Sequence, residues 1–110
     1  MKWKTWLVLL LLCVTMKAVE YEKLNNLRYR DDAFYEGKES NKQCVLDFHY
    51  PKGLKGYRTI IWFHGGGLTG GKKHNVEELK GNAQAPNAFV TVEYRLAGKD
   101  GVMAVDCISD

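Results

Sequence analysis

The segment Thr59-Ile60-Ile61-Trp62-Phe63 runs without a break into His64-Gly65-Gly66-Gly67. The run, starting at Arg58, reads as a strand that is apolar on both faces, as expected in the middle of a parallel or mixed sheet. Three glycines directly after such a strand bring bare backbone N–H groups up to a small reacting group. Side chains there would block the approach, and the turn calls for φ values that only glycine adopts freely. The glycine-rich loop is expected to span His64 to Gly71.

The flanking sequence frames this loop. Gln43 to Tyr50 alternates, with Cys44, Leu46 and Phe48 on one side and Asp47 and His49 on the other, as in a half-buried strand. Pro51, Gly53 and Gly56 mark the turn that follows. Val19 to Asn41 is polar and weakly patterned, and Leu24, Leu27, Tyr29 and Phe34 supply at most one short edge strand, with a turn over Gly37 to Asn41. After the loop, Asn75 caps an expected helix through about Ala85, with Val76 and Leu79 on its inner face. Ala88 to Tyr94 is a third strand. Val102, Val105 and Ile108 then recur every third residue and suggest an amphipathic helix. Strand, helix, strand, helix at this spacing predicts an α/β fold with a mixed, mostly parallel sheet and right-handed crossover helices.

The N-terminus is set apart. Lys2 and Lys4 precede an unbroken apolar run from Leu7 to Val14, and Ala18 offers a small residue for cleavage, so residues 1–18 read as a secretory signal peptide. The run is far shorter than the ~20 residues of a membrane-spanning helix. Lipid attachment at Cys13 is disfavoured, because Leu12 stands where a small residue is expected. The chain of 110 residues carries 16 Lys and Arg against 13 Asp and Glu. Lys2, Lys4 and Lys17 leave with the leader, so the mature charge is zero and a nucleic-acid or stable membrane-binding role is not expected. Cys44 and Cys107 sit in apolar patterns and read as small buried hydrophobes, with a disulfide the less favoured alternative. His49, His64 and His74 are scattered, so no metal site is expected.

Three chemistries use a glycine loop of this kind. Gly65, Gly67 and Gly70 satisfy G-x-G-x-x-G after a strand, and Glu93 stands roughly where a ribose-binding acid would. A dinucleotide site needs the next helix to begin at once with apolar residues, whereas Gly71-Lys72-Lys73-His74-Asn75 follows. Gly66 to Lys72 fits a phosphate loop, but Lys73 occupies the position of the magnesium-binding Ser or Thr. The third chemistry is an oxyanion hole, in which preorganised N–H groups hold the charged oxygen of a tetrahedral intermediate.

The pair of motifs His64-Gly65-Gly66-Gly67 and Val92-Glu93-Tyr94-Arg95-Leu96 resembles the α/β-hydrolase-fold esterases and lipases. It looks most like the branch related to hormone-sensitive lipase and secreted bacterial carbohydrate and feruloyl esterases. The resemblance covers roughly Gln43 to Asp110. It implies that Gly66 and Gly67 donate to the oxyanion, that Gly65 shapes the turn and that His64 braces the loop. It implies Arg95 and Glu93 as a structural ion pair or loop anchor, and leaves Leu68 and Thr69 as either pocket lining or loop filler. Ala97-Gly98-Lys99 stands where the family often has a proline.

The family's nucleophile is a serine in G-x-S-x-G, followed in the chain by Asp or Glu and then His. Ser40 and Ser109 are the only serines, and neither has the flanking glycines. The expectation is therefore the N-terminal part of a secreted or periplasmic serine ester hydrolase, residues 19–110 being an incomplete α/β-hydrolase domain. It would contribute the oxyanion loop, need no cofactor, and be inactive and poorly soluble alone. A small ester or an acylated carbohydrate is the substrate class implied. The family sets the nucleophile-bearing strand beside Arg58–Phe63, which without it becomes an exposed apolar edge. The rival from another class is a non-catalytic secreted binding protein on the same fold.

Overall fold

The computed structural model describes residues 19–80 and 86–110. The expected signal peptide and the second half of the helix expected after Asn75 lie outside the described residues. Four strands, β1 (Tyr21–Arg28), β2 (Val45–Pro51), β3 (Thr59–Phe63) and β4 (Ala88–Val92), form one sheet in the order β1-β2-β4-β3. Three short helices, α1 (Asp32–Tyr35), α2 (Val76–Lys80) and α3 (Ala104–Ser109), and a 3-10 turn over Glu39–Gln43 complete the elements. The class is α/β with a mixed sheet. It is not mostly parallel among the described residues: β1–β2 and β2–β4 are antiparallel, and only β3–β4 is parallel.

Local chemistry accounts for the helix starts. The Asp31 carboxylate accepts from Phe34 N at 2.9 Å and opens α1. Asn75 Oδ1 accepts from Glu77 N at 3.0 Å and opens α2. Asp106 Oδ2 accepts from Met103 N at 2.8 Å at the start of α3. The N-terminal region is more ordered than its polarity suggests. β1 has eight residues, while Phe34 belongs to α1 and not to a strand. Tyr35 stabilises this region from a buried position: its hydroxyl accepts from Tyr29 N and Arg30 N and donates to Cys44 O at 2.5 Å.

Two faces depart from the alternation argument. In β2 the apolar residues Leu46 and Phe48 are only half-buried, whereas His49 is buried. The polar side of β2, with Asp47 and His49, faces the glycine loop and α2 across a cleft, and Val76 of α2 is 1% exposed. In α3 the expected inner residues Val105 and Ile108 face solvent at 60% and 77% exposure, while Cys107 is buried. The helix is short and docks through Cys107, together with Val102 before it, onto Tyr94 and Leu96, with Leu68 and Ala97 packed alongside. This small core lies beyond the end of β4, next to the glycine loop. Cys44 and Cys107 are both buried free thiols.

Candidate functional site: the glycine loop and its adjoining cleft

β3 delivers the chain to His64, and two glycines fold it back. Gly66 has φ 127° and its Cα faces the Gly70 carbonyl so closely that an added Cβ would lie 2.6 Å from Gly70 C. Gly71 has φ 93°, and a Cβ there would lie 2.6 Å from His64 Nδ1 and collide with Gly65 O. A Cβ excludes both approaches, so these two positions require glycine. Gly65, expected to shape the turn, has open space around it and no left-handed φ. The steric requirement falls on Gly66 and Gly71 instead.

Hydrogen bonds lock the loop. Thr69 N and Gly70 N both donate to Gly66 O at 3.2 Å. Ala97 N donates to Leu68 O at 2.7 Å, tying the loop to the segment after β4. Leu68 takes φ 65° and packs on the small core, so it serves the loop's own packing, whereas Thr69 is exposed. His64 is buried under this loop. Its ring stacks on Tyr94 with centroids 4.3 Å apart and planes 5° from parallel. Its Nδ1 lies 2.8 Å from Gly65 O, and since a carbonyl only accepts, Nδ1 carries the proton. The Tyr94 hydroxyl donates to His64 O, and burial pushes its pKa up, so it remains a donor.

The consequence is a pair of free donors. Gly66 and Gly67 are exposed, and neither N–H makes a backbone hydrogen bond among the described residues.

A polar cleft of about 880 Å3 adjoins the loop on the side of β1 and β2. His64, Gly65 and Gly71 form one wall of it, but Gly66 and Gly67 do not. The cleft is therefore a neighbour of the two free amides, not their own pocket. A bulge in β1 between Leu24 and Leu27 presents Asn25 and Asn26 to this space. Asn26 N donates to Asp47 Oδ1 at 2.9 Å, and Asn25 Oδ1 lies 2.8 Å from His49 Nε2. Lys73, two residues past Gly71, donates to Asn26 Oδ1 at 2.9 Å and stands 3.9 Å from Asp47 and 3.8 Å from Glu93. Nothing in the sequence pattern pointed to this lysine.

Glu93 thus pairs with Lys73 and not with Arg95. Arg95 grips Asp110 instead, through Nε at 2.7 Å and Nη2 at 2.5 Å, with the Arg95 N–H at 3.1 Å. The Asp110 side chain is fully buried. Burial pushes its pKa up, but the Arg95 hydrogen bonds outweigh this and hold it below the ordinary carboxylate value. Ser109 Oγ donates to Val105 O at 2.7 Å, and Ser40 is buried, with its N–H on Asp100 Oδ2 and its Oγ without a partner among the described residues. Among the described residues, no group of three or more His, Cys, Asp or Glu side chains converges as metal ligands do. No helix among them is long and apolar enough to cross a membrane. No protein family, curated protein or solved structure matches this chain.

Proposed function

We propose that this chain supplies the oxyanion-binding part of a secreted serine ester hydrolase whose nucleophile, acid and base come from additional sequence. The observation that carries the reading is the pair of exposed, unengaged N–H groups of Gly66 and Gly67 on a turn locked by His64, Tyr94 and Gly71. During acyl transfer the carbonyl oxygen gains negative charge. Two fixed amides stabilise it without reorganising, and each such donor is worth about 3 kcal/mol in the transition state. A serine hydroxyl would attack the carbonyl, a histidine would move its proton to the leaving alcohol, and water would release the acyl group.

The open side of β3 supports the reading. All five of its residues are exposed, including Ile60, Ile61, Trp62 and Phe63, and β4 occupies only one of its edges. In the family this chain resembles, the nucleophile-bearing strand lies along that other edge. The substrate class that follows is a small ester or an acylated carbohydrate. No metal or organic cofactor enters the chemistry.

Labelling the full-length secreted protein with a fluorophosphonate and mapping the adduct tests this reading. One labelled serine within G-x-S-x-G, downstream of Asp110, is expected. No adduct, or an adduct on Ser40 or Ser109, would overturn it.

A further inference from the structure

The glycine loop has two legs, and two consecutive residues after β4 hold one each. The first leg is His64. The Tyr94 ring stacks on its imidazole, and the Tyr94 hydroxyl donates to its carbonyl. The second leg runs from Gly70 to Lys73 and passes close against His64 at Gly71. Its side-chain tie to the sheet is Lys73. The Lys73 ammonium donates to Asn26 Oδ1 at 2.9 Å in the β1 bulge. It stands 3.9 Å from Asp47 Oδ1 on β2 and 3.8 Å from Glu93 Oε2, the residue before Tyr94. Residues 93 and 94 thus fasten the two legs side by side.

Burial sets this lysine apart. Its side chain is 18% exposed, whereas Lys23, Lys42 and Lys52, in ion pairs of their own, are more than half exposed. Water screens exposed pairs, and it screens a partly buried pair much less. The neighbouring Lys72 is exposed and makes no ion pair among the described residues. Loss of the Lys73 ammonium would leave two partly buried carboxylates without their cation and the second leg without its tie. The effect reaches the donor turn directly, because Gly70 N donates to Gly66 O at 3.2 Å.

We propose that Lys73 is a positioning residue for the Gly66 and Gly67 amides. By tying the second leg to Asn26, Asp47 and Glu93 it fixes where the two N–H groups point, without touching the reacting atoms. The proposal rests on the oxyanion reading of those amides. Donors that meet charge only in the transition state affect kcat and leave KM in place when they are displaced.

The test compares Lys73→Met, Lys73→Arg and Lys72→Met in the full-length protein. Three quantities are read: p-nitrophenyl acetate hydrolysis, 15N relaxation of the glycine amides, and the urea midpoint. Lys73→Met is expected to lower kcat by about tenfold or more, with KM within about twofold. It should also raise the ps–ns mobility of the Gly66, Gly67 and Gly70 amides. Lys73→Arg should recover most of both effects, and Lys72→Met should match the parent protein. If Lys73→Met does not fold, Asn26→Ala and Glu93→Gln each remove one tie and should move the same quantities by less. Unchanged Gly66 and Gly67 relaxation on loss of the ammonium would overturn the proposal. So would a rise in KM at constant kcat, or a Lys73→Arg protein no better than Lys73→Met. A parent protein that hydrolyses no ester and takes no fluorophosphonate would refute the oxyanion reading alone, and the relaxation data would then decide whether Lys73 holds the turn.

Discussion

β3 and β4 are parallel neighbours of five residues each, both rich in residues that favour strands, yet they differ in burial from end to end. β4 is buried at Ala88, Phe89, Thr91 and Val92, and β3 is exposed at every position. Their sequences do not account for the difference, since Thr59-Ile60-Ile61-Trp62-Phe63 is if anything the more apolar. Position accounts for it. Among the described residues β4 has β2 on one edge and β3 on the other, with α2 packed against it, whereas β3 has β4 alone. An apolar strand with a free edge is a template for another strand, and proteins normally cover such an edge. Here the uncovered strand is also the one that presents the glycine loop.

The largest expected contrast between the two strands comes from truncating one phenylalanine on each. Phe89→Ala removes a side chain that is 1% exposed and is expected to cost about 3–5 kcal/mol in urea unfolding. Phe63→Ala, at 65% exposure, is expected to cost no more than about 0.5 kcal/mol. Comparable losses at both sites would mean that β3 is covered in solution. Next in size is the loop that β3 carries. Gly71→Ala drives a Cβ into the His64 ring and the Gly65 carbonyl, and should cost roughly 1–3 kcal/mol. Gly65→Ala, with open space around it, should cost little in the same assay. Equal effects would show that the loop is not closed at His64.

A smaller effect separates the covered face of the sheet by pH. The His49 pKa is lowered from its ordinary 6.5, so the unfolded chain binds the proton more readily than the folded one. Stability should therefore be full above about pH 6.5 and decline as the pH falls below it. His49→Gln should flatten that decline in urea titrations between pH 5 and 7. The Asp110–Arg95 pair acts in a lower window: its contribution is present above the carboxylate's ordinary 3.8 and is lost as the pH falls through the depressed folded value. The smallest expected change in stability, within about 0.5 kcal/mol, is that of Ile61→Lys on the open strand. The same substitution should raise solubility, measured by light scattering, because a charge on an edge strand opposes edge-to-edge pairing. Unchanged scattering would show that β3 is not the surface through which the chain associates.

The strands around the loop were legible in the sequence because β-branched and aromatic runs end at glycine and proline. β2, β3 and β4 lie within two residues of their expected bounds. Their burial was not, since burial depends on which neighbours a strand acquires. The alternation in β2 identified two faces but not which one α2 and the loop would lie opposite, so His49 is buried where solvent was expected. In α3, Val105 and Ile108 keep the helical spacing of an inner face, but the contacts to Tyr94 and Leu96 are made by Cys107 and Val102. Glu93 and Arg95 are two apart on one segment, and each found a closer partner elsewhere, Lys73 and Asp110, which only the folded chain brings near.

Glycine-selective 1H–15N spectra of the full-length protein, before and after treatment with a fluorophosphonate, test the central claim most directly. If Gly66 and Gly67 hold the oxyanion, both amide protons will move downfield together on formation of the phosphonyl adduct, while Gly65 and Gly71 move little. An adduct that leaves the Gly66 and Gly67 resonances in place would contradict the account, because the charged oxygen would then be held by other donors.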